Sequence, residues 1–223
     1  MATAAQPTIY LIPGLGADGR MFRDLELPGC KVQVLERIEA GANESFDAYI
    51  DRLVAPVNWD ERPVIAGVSF GGMATVNICH RYPARAGVII SSIKTRSELP
   101  WLLKLVCTWQ LHKLLPVSAA KNRTGLVHWY FGITTTISKE LMTEILKGSD
   151  PAFMRWALTQ IGLWKNEVVP PQLSHIHGTV DRVFPFRRIN NCIAIDKGHH
   201  FMVVDRASEV SGHLLSIAKA AYI

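Results

Sequence analysis

Apolar residues fall into two alternating patterns along much of this chain. Short continuous runs recur at Thr8-Ile9-Tyr10-Leu11-Ile12, Lys31-Val32-Gln33-Val34-Leu35, Pro63-Val64-Ile65-Ala66-Gly67 and Gly87-Val88-Ile89-Ile90-Ser91. Each has the length and β-branched content of a strand. Between the second and third, Phe46, Tyr49, Ile50, Leu53 and Val54 repeat at helical spacing behind Ser45, an N-cap residue. Residues 73–82 read as another helix, stopped by Pro83. Strands that are apolar throughout and alternate with helices predict a parallel sheet covered on both faces.

The pattern changes after Lys94. Residues 94–170 contain no convincing strand. Residues 99–115 are apolar with a helical period, a second helix is predicted over 138–146, and Asp150-Pro151 opens a third with a capping aspartate and proline at the first helical position. Pro170-Pro171 closes the stretch. Strands then resume near 173–177 and 192–195. A final helix over about 206–221 carries Val210, Leu214, Ile217 and Ala218 on one face. The expected organisation is one α/β core, residues 1–93 and 171–223, interrupted by a helical insertion over 94–170. A structureless loop of that length is uncommon in a compact domain.

Composition narrows the function classes. The chain has 223 residues, 48% of them hydrophobic, which is enough apolar surface to form a core and argues against disorder. Its net charge is +5, with no run of five like charges and no nucleic-acid motif, so no nucleic-acid partner is expected. Cys30, Cys79, Cys107 and Cys192 form no C-x-x-C pair; no metal or redox site is expected, and free thiols suit a reducing compartment. The first residues lack a basic leader, and Pro13, Gly14 and Gly16 break the apolar run that follows. The expectation is a cytoplasmic monomer or homodimer without stable membrane insertion.

The chemistry sits at the ends of the strands. Gly67-Val68-Ser69-Phe70-Gly71 is G-x-S-x-G, placed directly after an apolar strand and opening a helix. A serine on so sharp a turn needs glycines beside it, because side chains there would meet the neighbouring strand and helix. A serine hydroxyl is a weak nucleophile and needs a base, which in turn needs an orienting acid. His177-Gly178-Thr179-Val180-Asp181 follows the resumed strand, and Lys197-Gly198-His199-His200-Phe201 follows the last one. Loops at the carboxyl edge of one sheet can converge. The fourth element is Pro13-Gly14-Leu15-Gly16 after the first strand, a turn whose backbone can approach an oxyanion. His80, His112, His128 and His213 show no metal-ligand spacing; His175 and His177 alternate on one strand, and His177 is expected to pack behind the acid loop.

These four elements together resemble the α/β-hydrolase superfamily, from Thr8 to about Ala221, with the insertion in the position of a cap. The resemblance implies Ser69 as nucleophile, Asp181 as orienting acid and one histidine of the His199-His200 pair as base, with the Leu15 and Phe70 amides as oxyanion donors. It also implies a minimal sheet of about six mostly parallel strands with helices on both faces, since many members carry two extra strands ahead of the first one seen here. Members that cleave carbon–halogen bonds or epoxides place aspartate where this chain has Ser69, which argues against both activities. Members often have His-Gly where this chain has Pro13-Gly14; backbone donors do not depend on that histidine. A Gly-His pattern favours His199 as base, and a Gly-x-His-Phe-Met pattern favours His200. His200 is preferred. Gly14, His199 and Trp109 are assigned to substrate contact.

Five of the six tryptophans, Trp101, Trp109, Trp129, Trp156 and Trp164, fall in the insertion. So does the charge surplus: residues 94–170 hold ten Lys/Arg against five Asp/Glu, while the two core segments cancel. One reading is an apolar acyl pocket with a basic rim, suited to an anionic amphiphile or an anionic membrane surface. The other is a lid whose tryptophans pack on the core and whose lysines are solvated. The function expected is hydrolysis of a small carboxylic ester or thioester through an acyl-enzyme, with no metal or organic cofactor. The rivals are a ligand-binding receptor on the same fold and cofactor-free lyase or perhydrolase chemistry at the same site.

Overall fold

The computed structural model of the chain describes residues 6–110 and 124–223. Six strands form one sheet: β1 (Thr8–Ile12), β2 (Lys31–Val34), β3 (Val64–Val68), β4 (Ala86–Ile90), β5 (Leu173–Gly178) and β6 (Ile193–Ile195). Their order is β2-β1-β3-β4-β5-β6, and every pairing is parallel. Side chains alternate across the sheet. Tyr10, Ile12, Ile65 and Ile89 therefore pack into one apolar layer, and Ile9, Leu11, Val64, Ala66, Val88 and Ile90 into the other. The first layer is completed by α1 (Phe46–Leu53) and α2 (Phe70–Arg81). On the opposite face lie α7 (Met202–Asp205) and α8 (Ala207–Ala221), where Val210, Leu214 and Ala218 are fully buried and Ile217 is partly so. Burial on both faces explains why the strands read as unbroken apolar runs.

The chain leaves β1 toward β2 on one side, then returns to β3 on the other. The loops after β1 and β3 consequently splay apart at the carboxyl edge of the sheet, where open α/β sheets form their clefts.

Between β4 and β5 the described residues hold helices and no strand: α3 (Trp101–Thr108), α4 (Thr124–Phe131), α5 (Thr136–Gly148) and α6 (Pro151–Leu163). Asp150 caps α6 as its sequence predicts, its carboxylate accepting from Ala152 N at 2.9 Å and Phe153 N at 3.3 Å. Ser45 caps α1, accepting from Ala48 N at 3.2 Å. Three helices depart from the expectation. Helix α2 starts at Phe70 rather than at residue 73, because Gly71 and Gly72 stand inside it for steric reasons and do not break it. The helix predicted over 99–115 is described only as α3, with Gln110 beyond it at φ +53°. The rest of that prediction, and His112, lie outside the described residues. Helix α4 was not predicted, because it is apolar on all sides and shows no period.

Candidate active site

Ser69 joins β3 to α2 at φ +54° and ψ −115°, a conformation that costs a side-chain-bearing residue about 1–3 kcal/mol. The surrounding backbone holds it there. Its N–H donates to Ile90 O at 3.0 Å, and its carbonyl accepts from Gly72 N at 2.9 Å, Met73 N at 3.2 Å and Ser92 Oγ at 2.6 Å. The flanking glycines answer to space. A Cβ on Gly67 would sit 2.1 Å from Gly71 O, and one on Gly71 would sit 2.3 Å from Ile12 O. The strand, the helix and the β1 loop can meet only because both positions lack one.

Asp181 follows β5, and His200 follows β6. The Asp181 carboxylate accepts from Val183 N at 2.8 Å and Phe184 N at 2.9 Å through one oxygen, and from His200 Nδ1 at 2.8 Å through the other. His200 Nε2 lies 3.0 Å from Ser69 Oγ. Burial pushes the Asp181 carboxyl up, but the charge and hydrogen bond of His200, with help from His177 and the Phe184 amide, hold it below its ordinary value. A carboxylate only accepts, so His200 Nδ1 must donate to it. That leaves Nε2 of the neutral ring free to accept the serine proton. The ring is held edge-on between Phe131 and Phe184, with centroids 5.1 and 5.4 Å away.

Behind Asp181 lies a second pair of histidines. His177 Nε2 meets Phe184 O at 2.8 Å, and its Nδ1 meets His175 Nε2 at 3.1 Å. A carbonyl accepts, so His177 donates to Phe184 and accepts from His175. Both rings are buried, and burial lowers the pKa of each. His177 thus packs behind the acid loop, tying down the carbonyl of the residue whose N–H binds Asp181.

A cavity of about 260 Å³ opens above Ser69 and His200. Gly14, Leu15 and Phe70 form its floor, and a Cβ on Gly14 would stand 3.5 Å from that of Ser69. Among the described residues neither the Leu15 nor the Phe70 N–H donates a hydrogen bond within the protein. The Phe70 amide also stands at the start of a 12-residue helix, where partial positive charge collects. The walls come from the four described helices of the β4–β5 segment, through Leu103, Val127, Phe131, Met142, Met154 and Ile161. No lysine, arginine, aspartate or glutamate is among the lining residues described.

Ser69, His200, Leu15, Phe70 and Gly14 therefore meet at one cavity, with Asp181 directly beneath His200. His199 and Trp109 are not brought to it. The His199 ring packs on Gly132, where a Cβ would lie 2.2 Å from it, and Trp109 is 73% exposed. The described basic residues of the segment do not rim the cavity. Lys94 is buried on the Asn190 and Asn191 carbonyls beside Glu98, and Arg96 donates to the Gly162 and Trp164 carbonyls at 2.8 and 2.6 Å. Sequence reasoning missed Phe131, Tyr130 and the cavity methionines Met21, Met73, Met142 and Met154. It also missed Ser92. None of these carries a motif.

No family model and no curated protein matches the chain. Solved structures do. MenH from S. aureus superimposes with a TM-score of 0.75 at 16% identity, over 100% of this chain and 97% of that one. A bromoperoxidase from Bacillus anthracis gives 0.71 at 17%, over 97% and 93%. A thermophilic esterase from Thermogutta terrifontis gives 0.70 at 13%, over 99% and 92%. The chain has the fold of the α/β-hydrolase superfamily, built on a six-stranded parallel sheet.

Proposed function

We propose that this protein is a serine hydrolase of carboxylic esters or thioesters, and that residues 94–170 form a cap over its site. One observation carries the reading: Ser69 Oγ, His200 and Asp181 form a continuous hydrogen-bonded series, at 3.0 and 2.8 Å, that opens into an apolar cavity.

Each group has one role. Ser69 Oγ attacks the substrate carbonyl carbon as His200 Nε2 takes its proton. The carbonyl oxygen becomes an anion and is met by the Leu15 and Phe70 N–H groups, which have no competing acceptor among the described residues. Asp181 stays ionised and keeps the imidazolium oriented. Collapse of the tetrahedral adduct breaks the bond to the alcohol or thiol, which leaves with the proton from His200. Water then enters, gives a proton to His200, and attacks the acyl-Ser69 carbonyl. The carboxylic acid departs as the proton returns to Ser69.

The test pairs wild type with Ser69→Ala on a nitrophenyl ester chain-length series and a fluorophosphonate probe. Expected are labelling at Ser69 and turnover that falls on the order of 10⁴-fold or more in the variant. Tight binding of the probe's acyl analogue without labelling or turnover would overturn the reading in favour of a receptor.

A further inference from the structure

Ser92 has no part in the reaction as described, yet it is built into the turn that carries Ser69. It follows β4, is fully buried, and its hydroxyl donates to the Ser69 carbonyl at 2.6 Å. A carbonyl only accepts, so the direction of this bond is fixed. The other donors to Ser69 O, Gly72 N and Met73 N, belong to the helix that Ser69 opens. Among the described residues, Ser92 is the donor that reaches this oxygen from a different strand.

Two neighbours accommodate the bond. Ser91 takes φ +46°, the left-handed region that strains a residue with a side chain. That turn leads from Ile90, whose carbonyl accepts from Ser69 N at 3.0 Å, to Ser92, whose hydroxyl donates to Ser69 O. The end of β4 thus grips Ser69 by both of its backbone polar groups. Gly72 provides the space: a Cβ there would stand 2.4 Å from both Cβ and Oγ of Ser92. The glycine that follows G-x-S-x-G therefore answers to Ser92.

The Ser69 carbonyl and the Phe70 N–H are two ends of one planar peptide unit. A partner that fixes the carbonyl also fixes where the N–H points. A hydrogen bond to the oxygen draws charge from the nitrogen as well, which makes the N–H a stronger donor.

We propose that Ser92 is a positioning residue, aiming and polarising the Phe70 N–H toward the oxyanion. Its effect on turnover rests on the hydrolase reading, whereas its effect on the peptide does not.

The experiment compares wild type with Ser92→Ala and with Ser92→Cys, a near-isostere that donates weakly. Rates are counted per site titrated with the fluorophosphonate probe, so partial unfolding does not enter them. Losing an oxyanion donor outright costs about 100-fold or more; here the donor stays and loses its alignment, so kcat and kcat/KM should fall together by about tenfold, with KM unchanged. In nitrogen NMR of the free enzyme, the Phe70 amide should move upfield in both variants as its peptide loses polarisation. A merely structural serine would lower the urea midpoint and leave the rate per titrated site and the Phe70 signal where they were. That result, or a loss carried by KM alone, would overturn the proposal. If wild type itself neither labels nor turns over, the hydrolase reading falls, and an unmoved Phe70 signal would still be needed to sink the peptide alignment.

Discussion

At the scale of single residues, function and stability pull Ser69 in opposite directions. Its φ of +54° suits glycine, and only the serine hydroxyl gives His200 a proton to take. Ser69→Gly is therefore expected to be inactive but about 1 kcal/mol more stable than Ser69→Ala, which keeps the Cβ that resists this conformation. Urea unfolding of the two variants measures the difference, and equal midpoints would show that the backbone there is relaxed. The conformation is legible in the sequence, because the flanking glycines announce a place where chain segments crowd together. The choice between His199 and His200 was not legible to the same degree. Adjacent residues on a turn point in different directions, and the direction is set by contacts such as Gly132 against His199, remote in sequence. The side on which Trp109 falls was hidden for a related reason: an aromatic in a helical stretch has no sequence mark that separates the inner face from the outer.

At the scale of elements, β5 does more than complete the sheet. It carries His175 and His177 as a buried hydrogen-bonded pair whose far end holds Phe184, and so the loop that presents Asp181. Burial lowers both pKa values below the roughly 6.5 of an unfolded histidine. The unfolded chain then binds more protons than the folded one as pH drops. The stability tied to these rings is present above about pH 6.5 and is lost as pH falls toward their folded values, by up to about 1.4 kcal/mol per pH unit for each ring. Urea midpoints taken from pH 8 to pH 5 should fall in wild type and fall less steeply in His175→Gln. The comparison uses slopes, so it survives any uniform loss of stability in the variant, and parallel slopes would mean the pair stays protonated or solvated. The strands were the most legible elements, because continuous apolar runs of five residues have few other uses. Helix α4 was the least, because it is apolar toward both the cavity and solvent and no periodicity marks it.

At the scale of the whole molecule, the division of labour is between a sheet that was readable and a segment whose placement was not. The parallel direction of the strands follows from their alternation with helices, whereas their order, with the switch point between β1 and β3 that parts the two loops into a cleft, carries no local mark. The shape above those loops depends on how the described helices of the segment lean together, which no local pattern encodes. The positive surplus of residues 94–170 suggested a basic rim, yet the cavity lining described carries no charged carboxylate or cation. An anionic group on the substrate would have no charged partner among the described lining residues and would meet a steep desolvation cost. This predicts strong discrimination between two acyl chains of equal length, one ending in a methyl group and one in a carboxylate. The neutral nitrophenyl ester should exceed its carboxylate-terminated counterpart by about 100-fold or more in kcat/KM at neutral pH. Lowering the pH toward the carboxylate's own pKa should narrow the gap, because the protonated chain no longer brings a charge into the cavity. Equal turnover of the two would place the acyl chain outside this cavity and the basic residues of the segment beside it.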